Sequence, residues 1–229
     1  MNIQIYHHVY LCNHWKQVLI EQLYALQMSG LFHNCTALNM GVVYQEENDI
    51  SDFKKLIADY DIENKINILY IKPNDNHFEG NTAVYMKEYC DSLSEEESNS
   101  TSIMYLHTKG VSYPEDDSRR LPCKMWKNYM EYFVIFQWKD CIEKLNGEYE
   151  SCGCEWRESM GGHYSGTFWW MKATLIKKIP AESFTVYSPW TRHCVEALPG
   201  VVPHNRYELF QYDTDLQNII AYPSIYIKQ

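Results

Sequence analysis

The chain has 229 residues, 45% of them apolar, and a formal net charge of −10. That length suits one domain that can bury a core without covalent help. The acidic balance, with no basic stripe, argues against a nucleic-acid surface, and no run is long and apolar enough to span a bilayer.

The opening residues show no basic segment followed by an apolar one, so no leader is expected and a cytoplasmic setting is. Eight cysteines (Cys12, Cys35, Cys90, Cys123, Cys141, Cys152, Cys154 and Cys194) lack the spacing of a disulfide ladder or a zinc site. They read as free thiols of a reducing compartment. The chain is rich in Tyr (19) and Trp (7), whose flat faces and polar edges serve either a core or a sugar-stacking wall.

In chain order, Ile3 to Tyr6 reads as a short buried strand. A helix follows, capped by Asn13, with Trp15, Val18, Leu19, Leu23 and Leu26 on one stripe and Gly30 as its stop. Leu38 to Tyr44 is a second strand. Ser51 to Tyr60 is a helix with Phe53, Leu56 and Ile57 on one face. Ile66 to Ile71 is a third strand, ended by Pro73. Asn81 caps the next helix, which turns Met86, Tyr89, Cys90 and Leu93 inward. Glu95-Glu96-Glu97 reads as a solvated acidic loop.

Ser102 to Leu106 is a strongly apolar strand. A polar loop runs from Ser112 to Arg120. Pro122 opens the longest helix, with Trp126, Tyr129, Met130, Phe133 and Phe136 along one stripe and Gly147 at its end. Two strands, Glu148 to Trp156 and His163 to Met171, join through a Gly161-Gly162 turn. Short helices are expected at Ala173 to Ile179 and around Trp190 to Ala197, with an irregular tail and a last strand near Ile225. The first half alternates strand and helix, which predicts an α/β domain with a mostly parallel sheet covered on both faces. The second half is mixed.

In such sheets, ligands lie outside the carboxyl ends of the strands. Four places qualify: Tyr6-His7-His8, the loop after Ile71, His107-Thr108-Lys109, and the turn before His163. At the third of these a buried strand gives way at once to an imidazole, a hydroxyl, an ammonium and Gly110, a set that suits a diphosphate. In the segment from Gly161 to Trp170, small residues and aromatics alternate, which fits either close approach of a sugar ring or packing against backbone. Arg192 and Glu196 stand four apart, as an exposed helical ion pair or as a diphosphate partner and a general base. His204 is a further candidate ligand for a metal or a phosphate.

Taken together, several segments resemble one family. They are Tyr6-His7-His8-Val9-Tyr10, Ser29-Gly30-Leu31, Glu79-Gly80-Asn81-Thr82, Leu106-His107-Thr108-Lys109-Gly110, His163-Tyr164-Ser165-Gly166-Thr167-Phe168-Trp169-Trp170, and the stretch near Arg192 and Glu196. The family is that of GT-A-type glycosyltransferase domains from large algal viruses and bacterial surface-polysaccharide clusters. The resemblance implies a single GT-A-like domain, with a Rossmann-like nucleotide-binding half over about residues 1–110 and a sugar and acceptor half over about 111–229. It implies transfer of a sugar from a nucleoside-diphosphate sugar to a hydroxyl of a glycan or glycoprotein acceptor.

On that implication the donor contacts Tyr6, His7, His8, Thr82, His107, Thr108 and Lys109. The sugar and acceptor contact His163, Tyr164, Ser165, Gly166, Trp169 and Trp170, and catalysis uses Glu196, Lys109 and Arg192. One departure matters: the family usually places an Asp-x-Asp at the end of a central strand to hold Mn²⁺ or Mg²⁺ on the diphosphate, and the equivalent strand here ends in His107-Thr108-Lys109. Either Lys109 and Arg192 neutralise the leaving group, or His107 with Asp75 or Asp116, and more remotely His204, holds a cation. The alternatives are a hydrolase or nucleotidyltransferase acting on nucleotide sugars, and a non-catalytic carbohydrate- or nucleotide-binding module.

Overall fold

The computed structural model describes residues 1–75, 79–184 and 193–210, with Met160 described by its backbone alone. Strand β1 (Asn2–Leu11) leads into α1 (Trp15–Met28) and the single turn α2 (Leu31–Asn34). Then come β2 (Ala37–Tyr44), α3 (Asp49–Tyr60), β3 (Ile66–Pro73), α4 (Gly80–Ser92), α5 (Glu95–Ser100) and β4 (Thr101–His107). The second half holds α6 (Arg120–Glu131), a π turn (Tyr132–Phe136), α7 (Trp138–Asn146), β5 (Ser151–Cys154), β6 (Trp156–Arg157), β7 (His163–Tyr164), β8 (Trp169–Lys172), α8 (Ala173–Lys178), α9 (Cys194–Ala197) and β9 (Arg206–Phe210).

Seven strands form one sheet in the order β3-β2-β1-β4-β8-β5-β9, and β6 pairs with β7 separately. β1 runs parallel to β2 and β4, and β8 is antiparallel to both β4 and β5. The chain is therefore α/β with a mostly parallel sheet, as the alternating first half predicts. β1 is buried along nearly its whole length, as a central parallel strand must be. It outruns the expected Ile3–Tyr6 because two buried histidines, His7 and His8, interrupt its apolar pattern without ending it.

Successive side chains alternate between two cores. Ile3, Ile5, Val9, Met104, Leu106 and Trp170 join Leu19, Phe53, Phe133 and Trp138 on one face. Tyr6, Ile103, Tyr105, Trp169 and Met171 join Met86, Cys90 and Ile176 on the other.

Four local expectations are corrected. Asn13 caps nothing: at φ 48° it turns the chain, and its Nδ2 donates to Val111 O at 2.8 Å, clipping the loop after β4 to the end of β1. Asn81 lies inside α4, whose N-cap position is Glu79. The acidic run is helical, because Ser94 and Glu97 close a capping box ahead of it. The long helix breaks at the π turn, where Val134 O accepts the Trp170 indole N–H at 2.9 Å and Phe136 turns outward.

The expected hairpin exists only in pieces, interrupted by Glu155 and Thr167 at φ 57° and 64°. β9, which the sequence pattern does not announce, extends the sheet beside β5. Arg192 and the strand expected near Ile225 lie outside the described residues. Among the described residues, no helix is long and apolar enough to cross a membrane.

Candidate functional site

β4 ends at His107, opposite His8 in register, while β1 runs on to Leu11. Beyond them lies a cleft of about 340 Å³. Its floor is His8, His107 and Thr108; its walls include Glu79 at the start of α4, Lys109 in the following loop, Thr167 before β8, and His193 and Glu196 at α9.

Two carboxylate–imidazole pairs stand in this cleft. In the first, His107 Nδ1 lies 2.8 Å from Glu79 Oε1 and Nε2 lies 3.3 Å from Gly166 O. Both partners are acceptors, so each ring nitrogen faces an acceptor oxygen. Burial alone would raise the Glu79 pKa, but the charge and hydrogen bond of His107, with His8 behind them, bring it below the ordinary value.

In the second pair, Glu196 Oε2 lies 2.9 Å from His193 Nδ1, and Oε1 accepts the Gly166 N–H at 2.6 Å. Burial opposes the Glu196 charge. The hydrogen bond from His193, the Lys109 ammonium, the Gly166 amide and His163 overcome it and take the pKa to about 2. Gly166 thus joins the two pairs, one through its carbonyl and one through its amide. Its φ of 97° and its position against Met130 and Trp126 leave no room for a Cβ.

His8 Nδ1 lies 3.0 Å from Thr82 Oγ1, and Thr82 is 2.6 Å from the Tyr70 hydroxyl. Burial lowers the His8 pKa to about 4, against the pull of Glu79, so this ring is neutral near pH 7. Thr108 is buried, and its Oγ1 accepts the Tyr10 N–H at 2.9 Å, stitching the loop to β1. Lys109 Nζ stands 3.7 Å over the Trp126 ring, which holds the ammonium while leaving its charge available to the cleft. Lys109 and Gly110 also border a second cavity of about 320 Å³, whose walls include Glu21, Arg120, Lys124 and Lys127.

The structure brings together His8, Thr82, His107, Thr108, Lys109, Gly166 and Glu196. It separates others. Tyr6 and His7 point into the two cores on either side of β1, and neither lines the cleft. Trp169 and Trp170 are fully buried, the first stacked on Tyr105 at 5.1 Å and the second bonded to Val134 O, so neither offers a face to a sugar. Tyr164 is also core, with its hydroxyl 3.0 Å from Ser151 Oγ and donating to Tyr207 O at 3.1 Å. His163 is buried with Nδ1 near Ser159 O, and the Ser165 N–H donates to Glu155 O. Cores claim bulky aromatics as readily as sugar pockets do, which is why the segment misled.

The residues offered as metal ligands do not converge. His107 has both nitrogens committed, Asp75 is paired with Lys72 at 2.6 Å, and Asp116 is exposed on its loop. His204 bonds Ser151 Oγ at 2.6 Å and Val202 O at 2.8 Å, outside the cleft. Among the described residues, no group of three His, Cys, Asp or Glu side chains is placed to hold a metal.

Two cleft residues were not assigned roles from sequence, Glu79 and His193. The signal for His193 is its i, i+3 spacing from Glu196, which puts the two on one helix face. Glu79 stands just before a helix that follows a strand, a position where chain direction returns a side chain to the sheet edge.

The model of one protein family, described as a domain of unknown function (DUF8361), matches residues 6–186. No curated protein matches the chain.

Proposed function

The chain belongs to the DUF8361 family, and from the chemistry of its cleft we propose that it is a glycosyltransferase, moving a sugar from a nucleoside-diphosphate sugar to an acceptor hydroxyl of a glycan. The observation that carries this reading is that one cleft gathers an ammonium, Lys109, and an imidazole–carboxylate pair, His193 with Glu196. In the proposed roles Lys109 and His107 meet the leaving diphosphate, and Glu196 with His193 meets the acceptor hydroxyl. Three further points support it. The cleft lies at the carboxyl ends of β1 and β4, where open α/β sheets bind ligands. Its volume falls within the range of about 300–1,000 Å³ typical of small-molecule sites. The sheet order, four parallel strands followed by an antiparallel one, is compatible with a GT-A-like domain.

In the proposed reaction the acceptor oxygen attacks the anomeric carbon. The new glycosidic C–O bond forms as the bond from that carbon to the diphosphate oxygen breaks. The nucleoside diphosphate leaves with the electron pair, and the acceptor proton passes to the His193–Glu196 pair. Lys109 stabilises the charge that develops on the leaving group, in a position where bulk water is partly excluded. The cation-ligand residues offered by the sequence do not form a cage, and none of these steps uses one.

The test is a thermal-shift panel of UDP-, GDP-, dTDP- and CMP-sugars, each with and without Mn²⁺, because a ligand selective for the native state raises the melting temperature. At least one nucleoside-diphosphate sugar should stabilise the chain. Nucleoside diphosphate should then appear only when an acceptor is added; release without acceptor would mark a hydrolase.

A further inference from the structure

We propose that His193 is the general base of this cleft, with Glu196 as the positioning residue that fixes its tautomer. The inference rests on the transferase reading and deepens it.

A base must be able to receive a proton at an atom that faces substrate. Three imidazoles line the cleft, and their partners sort them. His107 has a protein oxygen at each nitrogen, Glu79 and the Gly166 carbonyl, so neither nitrogen is left for substrate. His8 is buried, with Nδ1 at Thr82. His193 differs. Its Nδ1 faces Glu196 Oε2 at 2.9 Å, its Nε2 meets no hydrogen-bond partner among the described residues, and its side chain is 42% exposed at the cleft wall.

Glu196 is itself a poor base. Both of its oxygens are occupied, one by His193 and one by the Gly166 amide. A carboxylate held ionised, with its pKa at about 2, takes a proton reluctantly. It is well suited to another task. An ionised carboxylate can only accept, so it keeps the His193 proton on Nδ1 and leaves the Nε2 lone pair free. It also stabilises the imidazolium that forms when Nε2 takes the acceptor proton. The Gly166 N–H pins the carboxylate so that it cannot rotate into the cleft.

The charge balance closes. The acceptor O–H proton goes to Nε2, the acceptor oxygen bonds the anomeric carbon, and the diphosphate leaves toward Lys109. Base-assisted attack of the acceptor on the anomeric carbon is a single displacement, so the product anomer is inverted. The charged and titratable groups facing this pair are Lys109 from the loop after β4, His163 from β7 and Glu79 from the start of α4.

The test combines a substrate-free measurement with kinetics. Nitrogen-15 NMR of the wild-type chain should show His193 with its proton on Nδ1. In Glu196→Gln, the amide oxygen keeps the Gly166 bond and the amide NH₂ faces Nδ1, so the proton should move to Nε2. His193→Ala should lower kcat by about 10²–10⁴-fold, the usual contribution of a general base. Glu196→Gln should lower kcat by a comparable factor. The KM for donor should change less than about threefold in both, since neither variant touches the diphosphate wall. The product should carry the inverted anomer.

A proton on Nε2 in the wild type, retention of configuration, or a His193→Ala enzyme with unchanged kcat would each overturn the dyad. Failure of every nucleoside diphosphate and nucleotide sugar to bind the wild type would instead overturn the transferase reading, and the base role with it, whatever the tautomer.

Discussion

Glu79 and His107 meet at 2.8 Å at the point where β4 ends and α4 begins, and the second nitrogen of that imidazole reaches across to Gly166 O. One side chain thus ties a helix start, a strand end and the segment before β8. Removing the carboxylate would leave a partly buried imidazole without one of its two acceptors.

Glu79→Gln should therefore destabilise the fold by about 1–2 kcal/mol, the loss of one charge-assisted hydrogen bond. The sign with pH follows from the lowered pKa of Glu79. Its contribution is present above the ordinary carboxylate value and is lost as pH falls through the lower folded value. Urea denaturation of wild type and Glu79→Gln at pH 7 and at acid pH should show the gap between them shrinking with acid.

His7 predicts a different acid response. Neither of its ring nitrogens has a hydrogen-bond partner in good geometry among the described residues, and the Gln22 amide close by does not offset burial, which takes the pKa to about 3. Below its ordinary value of 6.5 the unfolded chain binds a proton that the folded chain refuses until about pH 3, so stability falls with pH across that window. At pH 5 this amounts to roughly 2 kcal/mol for His7. His7→Leu, which fills the site with apolar volume, should match the wild type at pH 7 and lose less on acidification, as read by chemical denaturation.

Gly41 should resist any side chain. A Cβ there would stand 2.1 Å from Thr82 Oγ1 and 2.5 Å from the Tyr70 hydroxyl. Gly41→Ala should cost about 1–3 kcal/mol by overpacking, and it should disturb the His8–Thr82 contact on the cleft floor. Both effects are measurable, as a lower melting temperature and as weaker ligand binding beyond what stability explains.

Trp170→Ala should act on stability alone. The ring is fully buried and its N–H is bonded to Val134 O. Loss of about 3–5 kcal/mol is expected for such a truncation. The milder Trp170→Phe should fold and bind any cleft ligand as the wild type does; a selective loss of sugar affinity would return Trp170 to the site.

The fold was legible because strong periodicities carried it. The stripe from Trp15 to Leu26, the apolar run from Ser102 to Leu106 and the alternation of elements in the first half are patterns that burial itself produces. Glu155 and Thr167 show where legibility ended. Positive φ at non-glycine residues leaves no mark on hydrophobic pattern, so one expected hairpin became four short strands.

In the site, the segment His107-Thr108-Lys109 was found because a strand must end where its polar residues begin. Glu196 bonds His193, a contact the sequence reading did not single out, while the Arg192 paired with it by spacing lies outside the described residues. Sequence spacing could not say that Gly166 holds the other oxygen of Glu196, since that contact spans thirty residues and depends on how β8 lies against β4.

The central claim is that a nucleoside diphosphate binds in the cleft with Lys109 against its phosphates. Isothermal titration of UDP, GDP and dTDP into the wild type and Lys109→Ala tests it most directly. At least one nucleoside diphosphate should bind the wild type, and Lys109→Ala should weaken it by about tenfold or more, the loss of one charge-assisted contact. Binding that is undetectable in the wild type at millimolar concentration, or equally tight in both proteins, would contradict the account.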